Sequence, residues 1–512
     1  MKLIETLRRS LREDLAPHLK DKDAAPILET IDLMIVELLD RATTRPAILE
    51  NSVIALSALT DRARDITGII DPLSSIMPDE PTPDYPADAL LGHSARRIDR
   101  LRAELVAAMP AMLALAQRPG EQQQAALDWM RDVVAQQYAE TAAETQRRPF
   151  ESGPDRSTAM PDCLIQSLDR QLEAGGRLEI ATFAELSGGY SRRTYSAEVK
   201  RLPEASHERL VLRQQRSDGI IQGLGLDVVD EFPLLSLAFA HDLPVPEPLG
   251  IENDPNILGG AFLTMRYVQG ETLGSHVSAA GVDEHSLRRI AALVASVHRL
   301  PWGEMVSGNG LFGLTASERR SSRACLSAYL DRYEILWKAG ELRPSPTLSL
   351  GFEWLRRNMP DHDSTPILQH GDFGFHNILF RNGEIVALLD WEAAFLGEPA
   401  KDLAQCRAFV SGYVEWDVFY RWYLDAGGFE ISHNVMNYYN VLRSITQLLI
   451  GDLGLETRFG HVDRPDPRYF FLGGPVRRYC FDTLMSDAWP MWTSGWHQAD
   501  EGRFMANPVP VR

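Results

Sequence analysis

The chain has 512 residues, of which 44% are hydrophobic and 24% charged, the balance of a soluble globular protein. Roughly two to four folding units are expected at this length. The net charge of −19 repels a phosphate backbone and excludes nucleic acid as the expected partner, and no run approaches the roughly 18 apolar residues of a membrane span. The N-terminal stretch carries charges every few residues and no apolar signal core, which argues against secretion. Cys163, Cys325, Cys406 and Cys480 lie far apart and form no CxxC pair. That spacing predicts neither a zinc site nor a disulfide framework and fits a reducing cytoplasm.

Residues 1–146 read as an all-α helical bundle. Ile27, Ile31, Met34, Ile35, Leu38 and Leu39 fall on one face of a helical period. Similar stripes are Leu3, Leu7, Leu11 and Leu15, then Leu101, Leu105, Met109 and Leu113, then Leu127, Met130, Val134 and Tyr138. Pro26, Pro46 and Pro110 mark starts or kinks. No catalytic constellation is visible there, and the domain is a candidate surface for homo-oligomer formation. Residues 147–176 carry three prolines within 147–162 and read as a linker. Residues 177–270 contain short β-type runs around one helical stretch (VVDEFPLLSLAFAHD), and residues 271–505 are mainly helical except near 367–390.

The segment 367–396 carries the chemistry. Two apolar β-type runs flank Asn382-Gly383, a strong hairpin signal. His370-Gly371-Asp372 and then Asn377 precede the hairpin, and Asp390 follows its second strand. A short hairpin brings its ends together, so Asn377 and Asp390 can converge. An amide oxygen with a carboxylate suits a hard cation such as Mg²⁺, which also takes phosphate oxygens. A separate aspartate, Asp372, can accept a hydroxyl proton, completing a minimal set for phosphoryl transfer. His370 is expected to brace the loop and Trp391 to pack. Glu392 is either a helper for metal or substrate or a solvated carboxylate, and Asp402 reads as a helix cap.

The order and spacing resemble the kinase catalytic loop, H-R-D-x-x-x-x-N followed by a metal-binding Asp. Gly371 in place of the Arg, and Asp390-Trp391-Glu392 in place of Asp-Phe-Gly, resemble the aminoglycoside phosphotransferase family. Gly397-Glu398-Pro399 with Asp402-Leu403-Ala404 is similar to that family as well. The resemblance covers about residues 177–460 and implies an α+β, two-lobed protein-kinase-like fold behind the helical bundle. It implies ATP and Mg²⁺ as cofactors and a small-molecule hydroxyl as acceptor. Gly188, Gly189 and Ser191 then resemble the phosphate loop. Arg213 stands where the third-strand Lys is expected, similar to the branch fused to acyl-CoA dehydrogenases, and its planar fork keeps phosphate binding possible. Glu231, in preference to Asp230, would hold that cation. Met265 would stand beside the base, and the backbone at Arg266, Tyr267 and Val268 would meet the purine edge. Lys200 should point to solvent, and 219–225 should be a flexible loop rather than a dinucleotide motif. Two other readings of the same fold are a nucleotide-binding scaffold and a nucleotidyl transferase. The acceptors implied by the family range from aminoglycosides to hydroxyacyl compounds.

Overall fold

The computed structural model describes residues 48–68, 86–116, 118, 120–144, 156–157, 163–186, 191–202, 206–216, 224–274, 281–305, 311–339 and 344–459. The chain divides into two compact units, one of residues 1–148 with 343–353 and one of 149–342 with 354–512.

The first unit is helical. Its described helices are α1 (48–67), α2 (Pro86–Ala116) and α3 (Glu121–Glu144). Leu105, Met109 and Leu113 of α2 are fully buried, while Leu101 is half-buried. The α3 face is rotated from the expected stripe: Ala126, Trp129, Met130, Val133 and Val134 are buried, with Leu127 and Tyr138 at the margins. Trp129 explains the rotation, because its indole Nε1 donates to Leu59 O of α1 at 2.7 Å and carries the ring inward. The stripes at 3–15 and 27–39 lie outside the described residues. Residues 343–353, expected in the kinase-like part, belong to this unit. Gln137 of α3 holds them: its amide donates to Ser345 Oγ at 2.9 Å and accepts from Thr347 Oγ1 at 2.6 Å. Polar pairs of such sequence separation leave no periodic signal.

The second unit opens with a six-stranded antiparallel sheet in the order β1-β2-β3-β4-β6-β5. The strands are β1 (Arg156–Ser157), β2 (Leu178–Leu186), β3 (Arg192–Arg201), β4 (Ser206–Gln215), β5 (Pro248–Glu252) and β6 (Phe262–Arg266). The stretch 147–176 is therefore more than a linker. Ser157 pairs with Ala184, and helix α4 (Leu164–Gln171) packs Leu164 and Leu168 into the sheet core beside Leu210, Leu212 and Phe262. All three prolines of the stretch precede this helix in the sequence, and none interrupts it. Helix α5 (Val228–Ala240) starts at Asp227, whose carboxylate caps the N–H groups of Val229 and Asp230. Val228, Glu231, Leu234, Leu235 and Ala238 form its buried face, so Glu231 points inward while Asp230 is exposed.

The helical part beyond carries two further small sheets: a three-stranded one, in which β7 (Glu271–Thr272) pairs with β9 (Ile378–Arg381) of the hairpin β9–β10 (Glu384–Leu388), and the pair β8 (Ile367–Gln369) with β11 (Phe395–Gly397). Asn382 and Gly383 have φ of 54° and 80°, the paired positive values of a tight primed turn. Helices α6 (Glu284–His298), α7 (Ser322–Ala339), α9 (Ala400–Val410), α10 (Trp416–Asp425) and α11 (His433–Phe459) surround them, with α8 (Pro346–Arg357) shared between the two units. This is the expected α+β fold class, an antiparallel sheet followed by a mainly helical part around the hairpin, with α4 as a second helix on the sheet beside α5. No described helix is long and apolar enough to cross a membrane.

Candidate active site

The loop 370–377 is held from beneath. The buried carboxylate of Asp402 accepts the backbone N–H of His370 and that of Gly371, each at 2.8 Å. It also meets His298 Nε2 at 3.3 Å. Burial alone would raise its pKa, but His298, with Lys401 and His370 nearby, keeps it below the ordinary aspartate value. Asp402 is thus a loop anchor and not the expected cap, since it lies inside α9 and its carboxylate is spent on the loop amides. His370 is fully buried. Its Nε2 lies 2.9 Å from Leu389 O, and its Nδ1 accepts the N–H of Asp372 at 3.2 Å. Those contacts set the neutral tautomer, and burial lowers its pKa. This is bracing, as the sequence suggests. Gly371 has φ +86°, and a Cβ there would overlap the carbonyl of Ala393. An arginine therefore cannot occupy this position in this loop.

Asp372 and Asn377 come together. Asn377 Nδ2 donates to Asp372 Oδ2 at 2.9 Å and to Asp372 O at 3.0 Å. Asn377 O accepts the N–H of Leu389 at 2.8 Å, which draws the loop against the end of β10 beside Asp390. Gln405 Nε2 donates to Asp372 Oδ1 at 3.2 Å and is itself held by Arg443 Nε at 2.7 Å. His376 Nε2 lies 3.4 Å from Asp372 Oδ2.

The opposite side is ionic. Arg213 on β4 donates to Glu231 Oε1 at 3.0 Å and to Asp390 Oδ1 at 2.5 Å, with Glu392 at 3.6 Å. Burial works against its charge, yet Asp390 and Glu392 raise its pKa above the ordinary arginine value. In return, burial would raise the pKa of Asp390, but Arg213 holds it low. Asp390 has φ of 65°, a left-handed backbone that turns its carboxylate toward Arg213.

A second arginine, which the sequence reading passes over, completes this side. Arg192 on β3 is almost fully buried and pairs with Glu231 Oε2, with Leu226 O, and with Glu392 Oε2 at 3.1 Å. Burial and the nearby Arg213 pull its pKa down to about 10. Glu392 is not the solvated carboxylate that was one reading: it is buried, Ser191 Oγ donates to its Oε1 at 2.5 Å, and burial with Asp390 raises its pKa. Ser191 therefore meets a carboxylate in this structure. Gly188, Gly189 and 219–223 lie outside the described residues, and Lys200 is half-buried at the edge of β3. The signal that could have singled out Arg192 is strand alternation: Arg192 faces the core and Arg193 is exposed.

At the edge expected to meet the base, Met265 is buried on β6, paired with Val211 and Pro248. The ladder runs on past β6. Arg266 N–H donates to Glu247 O at 3.0 Å and Tyr267 N–H to Arg209 O at 2.9 Å. Two of the three expected hinge amides are thereby spent on neighbouring strands. Val268 N–H is the one without a partner among the described residues. The Arg209 guanidinium covers the Tyr267 ring at 4.1 Å.

The arrangement brings the carboxylates of Asp372 and Asp390 and the amide of Asn377 to one end of the hairpin, with the buried guanidinium of Arg213 on Asp390. Residues 182–435 match the model described as the phosphotransferase enzyme family, APH. This part of the chain is a member of that phosphotransferase family. It is 32% identical over 185 residues to acyl-CoA dehydrogenase family member 11 of Rattus norvegicus, covering 35% of this chain and 22% of that protein. It is 27% identical over 240 residues to a probable acyl-CoA dehydrogenase, IBR3, of Arabidopsis thaliana, covering 44% of this chain and 28% of that protein. The phosphotransferase segment thus spans under a third of these relatives' own length. Among solved structures, it is similar to aminoglycoside phosphotransferase APH(4)-Ia in complex with AMP-PNP and hygromycin B, with 19% identity, a TM-score of 0.44, and coverage of 63% and 98% of the two chains. It is also similar to macrolide 2'-phosphotransferase MphH of Brachybacterium faecium, with 20% identity, a TM-score of 0.40, and coverage of 62% and 98%.

Proposed function

We propose that this phosphotransferase moves the γ-phosphoryl group of ATP, with Mg²⁺, onto a hydroxyl of a small molecule. The observation that carries the reading is the convergence of Asp372 and Asn377 with Asp390, Arg213 and Glu231. Asp372 accepts the proton of the acceptor hydroxyl as its oxygen bonds to the γ-phosphorus and ADP leaves. Arg213, oriented by Glu231, offers its planar fork to the α- and β-phosphates. Val268 N–H supplies a donor for the base.

The donor set fits Mg²⁺. Among the described residues no group of three or more His, Cys, Asp or Glu forms a protein cage for a metal. Mg²⁺ prefers one or two protein oxygens completed by water and phosphate. Asn377 points its Nδ2 at Asp372, which leaves Oδ1 as its ligand atom, and Asp390 adds a carboxylate held ionised by Arg213. Bound there, Mg²⁺ would neutralise charge on the phosphates.

Cations gather around the proposed acceptor side. Lys401 Nζ lies 3.5 Å from Gly371 O and 5.1 Å from the Tyr329 ring centroid, and burial lowers its pKa. Arg443 stands behind Gln405. This favours an acceptor alcohol bearing negative charge, such as a hydroxyacyl derivative of coenzyme A, over a polycationic antibiotic. The acyl-CoA in the relatives' names agrees with that choice. The test is ATP turnover by the purified protein against anionic and cationic acceptors, with product masses. A gain of one phosphate supports the reading, and a gain of AMP makes the protein a nucleotidyl transferase. Asp372→Asn should lower kcat at least about a hundredfold. Turnover within about tenfold of wild type, roughly 1.4 kcal/mol in barrier, would overturn the role of Asp372.

A further inference from the structure

His376 and Gly374 form a feature that phosphoryl transfer does not by itself require. The short turn Phe375–Asn377 sends consecutive side chains in different directions. Phe375 is buried between Phe409 and Tyr413, at ring-centroid distances of 4.7 and 5.7 Å. Asn377 turns its amide to Asp372. His376 folds back so that Nε2 reaches Asp372 Oδ2 at 3.4 Å, the oxygen that also accepts from Asn377.

The fold-back has a steric condition. A Cβ on Gly374 would overlap Cε1 of the imidazole and stand 2.7 Å from its Nδ1. Gly374 has φ of −164°, an extended conformation open to any residue. Its backbone therefore does not demand glycine, and the imidazole lying over it does. Gly371, three residues earlier, is different, because there the positive φ and a backbone carbonyl both exclude a side chain.

We propose that His376 is a positioning residue for Asp372, and that Gly374 is the notch that lets the imidazole reach it. The proposal rests on the reading of Asp372 as proton acceptor. A carboxylate with one donor on each oxygen can still tilt about its Cβ–Cγ bond. A second donor on Oδ2, set opposite the Gln405 contact on Oδ1, fixes the plane in which the carboxylate meets the acceptor hydroxyl. Small displacements of a catalytic group cost large factors in rate, so such a brace acts on kcat.

The two residues give an interlocked test. His376→Ala should lower kcat about tenfold by releasing the carboxylate, with KM for ATP within about twofold because the nucleotide side is untouched. His376→Gln, which can return an N–H donor, should recover most of the loss. Gly374→Ala should reproduce His376→Ala, since the added methyl displaces the imidazole and leaves the backbone in place. The double variant Gly374→Ala/His376→Ala should match His376→Ala alone. Full kcat in His376→Ala, or a double variant whose defect is the product of the two single ones, overturns the proposal. If His376→Ala does not fold, Gly374→Ala and His376→Gln still decide it. Asp372→Asn separates the two layers. An active Asp372→Asn sinks the reading of Asp372 itself, while an inactive Asp372→Asn beside a fully active His376→Ala sinks the brace alone.

Discussion

The two sides of the site are built from different materials. The side facing the expected nucleotide is a ring of full charges: Arg213 and Arg192 share Glu231, and both reach Glu392, with Asp390 on Arg213. The side around Asp372 is made of amide and imidazole contacts from Asn377, Gln405 and His376. Buried ion pairs are costly to break, because the surviving partner remains as an uncompensated charge. Neutral donors are cheap to remove in stability and expensive only in rate. The contrast teaches that one side should report damage as unfolding and the other as lost turnover.

The sharpest way to break that comparison is Glu231→Gln. It strips the shared carboxylate from two buried arginines and should cost about 3–5 kcal/mol of stability, read as a fall in melting temperature. Adding Arg192→Met should return part of the loss, since one orphaned cation goes with it. A melt unchanged by Glu231→Gln would mean the ring is not the stabilising unit it appears in the geometry.

Asp402→Asn lies between the two materials, a charge that holds neutral backbone. It leaves one amide oxygen for two loop N–H groups, and a loss of about 1–3 kcal/mol is expected from the group left unmatched. The sign with pH follows from its lowered pKa. The wild-type contribution is complete above the unfolded aspartate value of about 3.9 and is lost as pH falls through the lower folded value. Acid melts of wild type should therefore converge on those of Asp402→Asn at low pH, and parallel curves would contradict the assignment.

Gln405→Ala should have the smallest effect on folding. Its melting should stay within about 1 kcal/mol of wild type, while kcat falls several-fold because Asp372 Oδ1 loses its donor. A variant that instead unfolds would blur the distinction between the two sides.

The sequence carried some of this well and some not at all. The hairpin at Asn382-Gly383 was readable because positive φ at consecutive positions has few solutions, and Asn-Gly is one. Glu231 was separable from Asp230 only with the helix phase in hand, and the capping Asp227 sets that phase. Arg192 is legible only through the alternation of β3, which turns it inward and the chemically identical Arg193 outward. Asp402 looked like a cap because it begins a helical run, yet its partners lie some thirty residues earlier in the loop at 370 and 371. Gln405 and the return of 343–353 to the helical unit are likewise long-range polar pairings, to which hydrophobic periodicity is blind. Helix α4 is masked by the prolines that precede it, although Leu164 and Leu168 have the i, i+4 spacing.

One backbone unit ties these threads together. Leu389 donates its N–H to Asn377 O at 2.8 Å and accepts His370 Nε2 on its own carbonyl at 2.9 Å. Its amide proton can exchange with solvent only when the loop and the hairpin part. Deuterium uptake at this single position is therefore a clock for opening of the site, readable on the apo protein and independent of any acceptor. Ligands that draw Asn377 and Asp390 together should slow it.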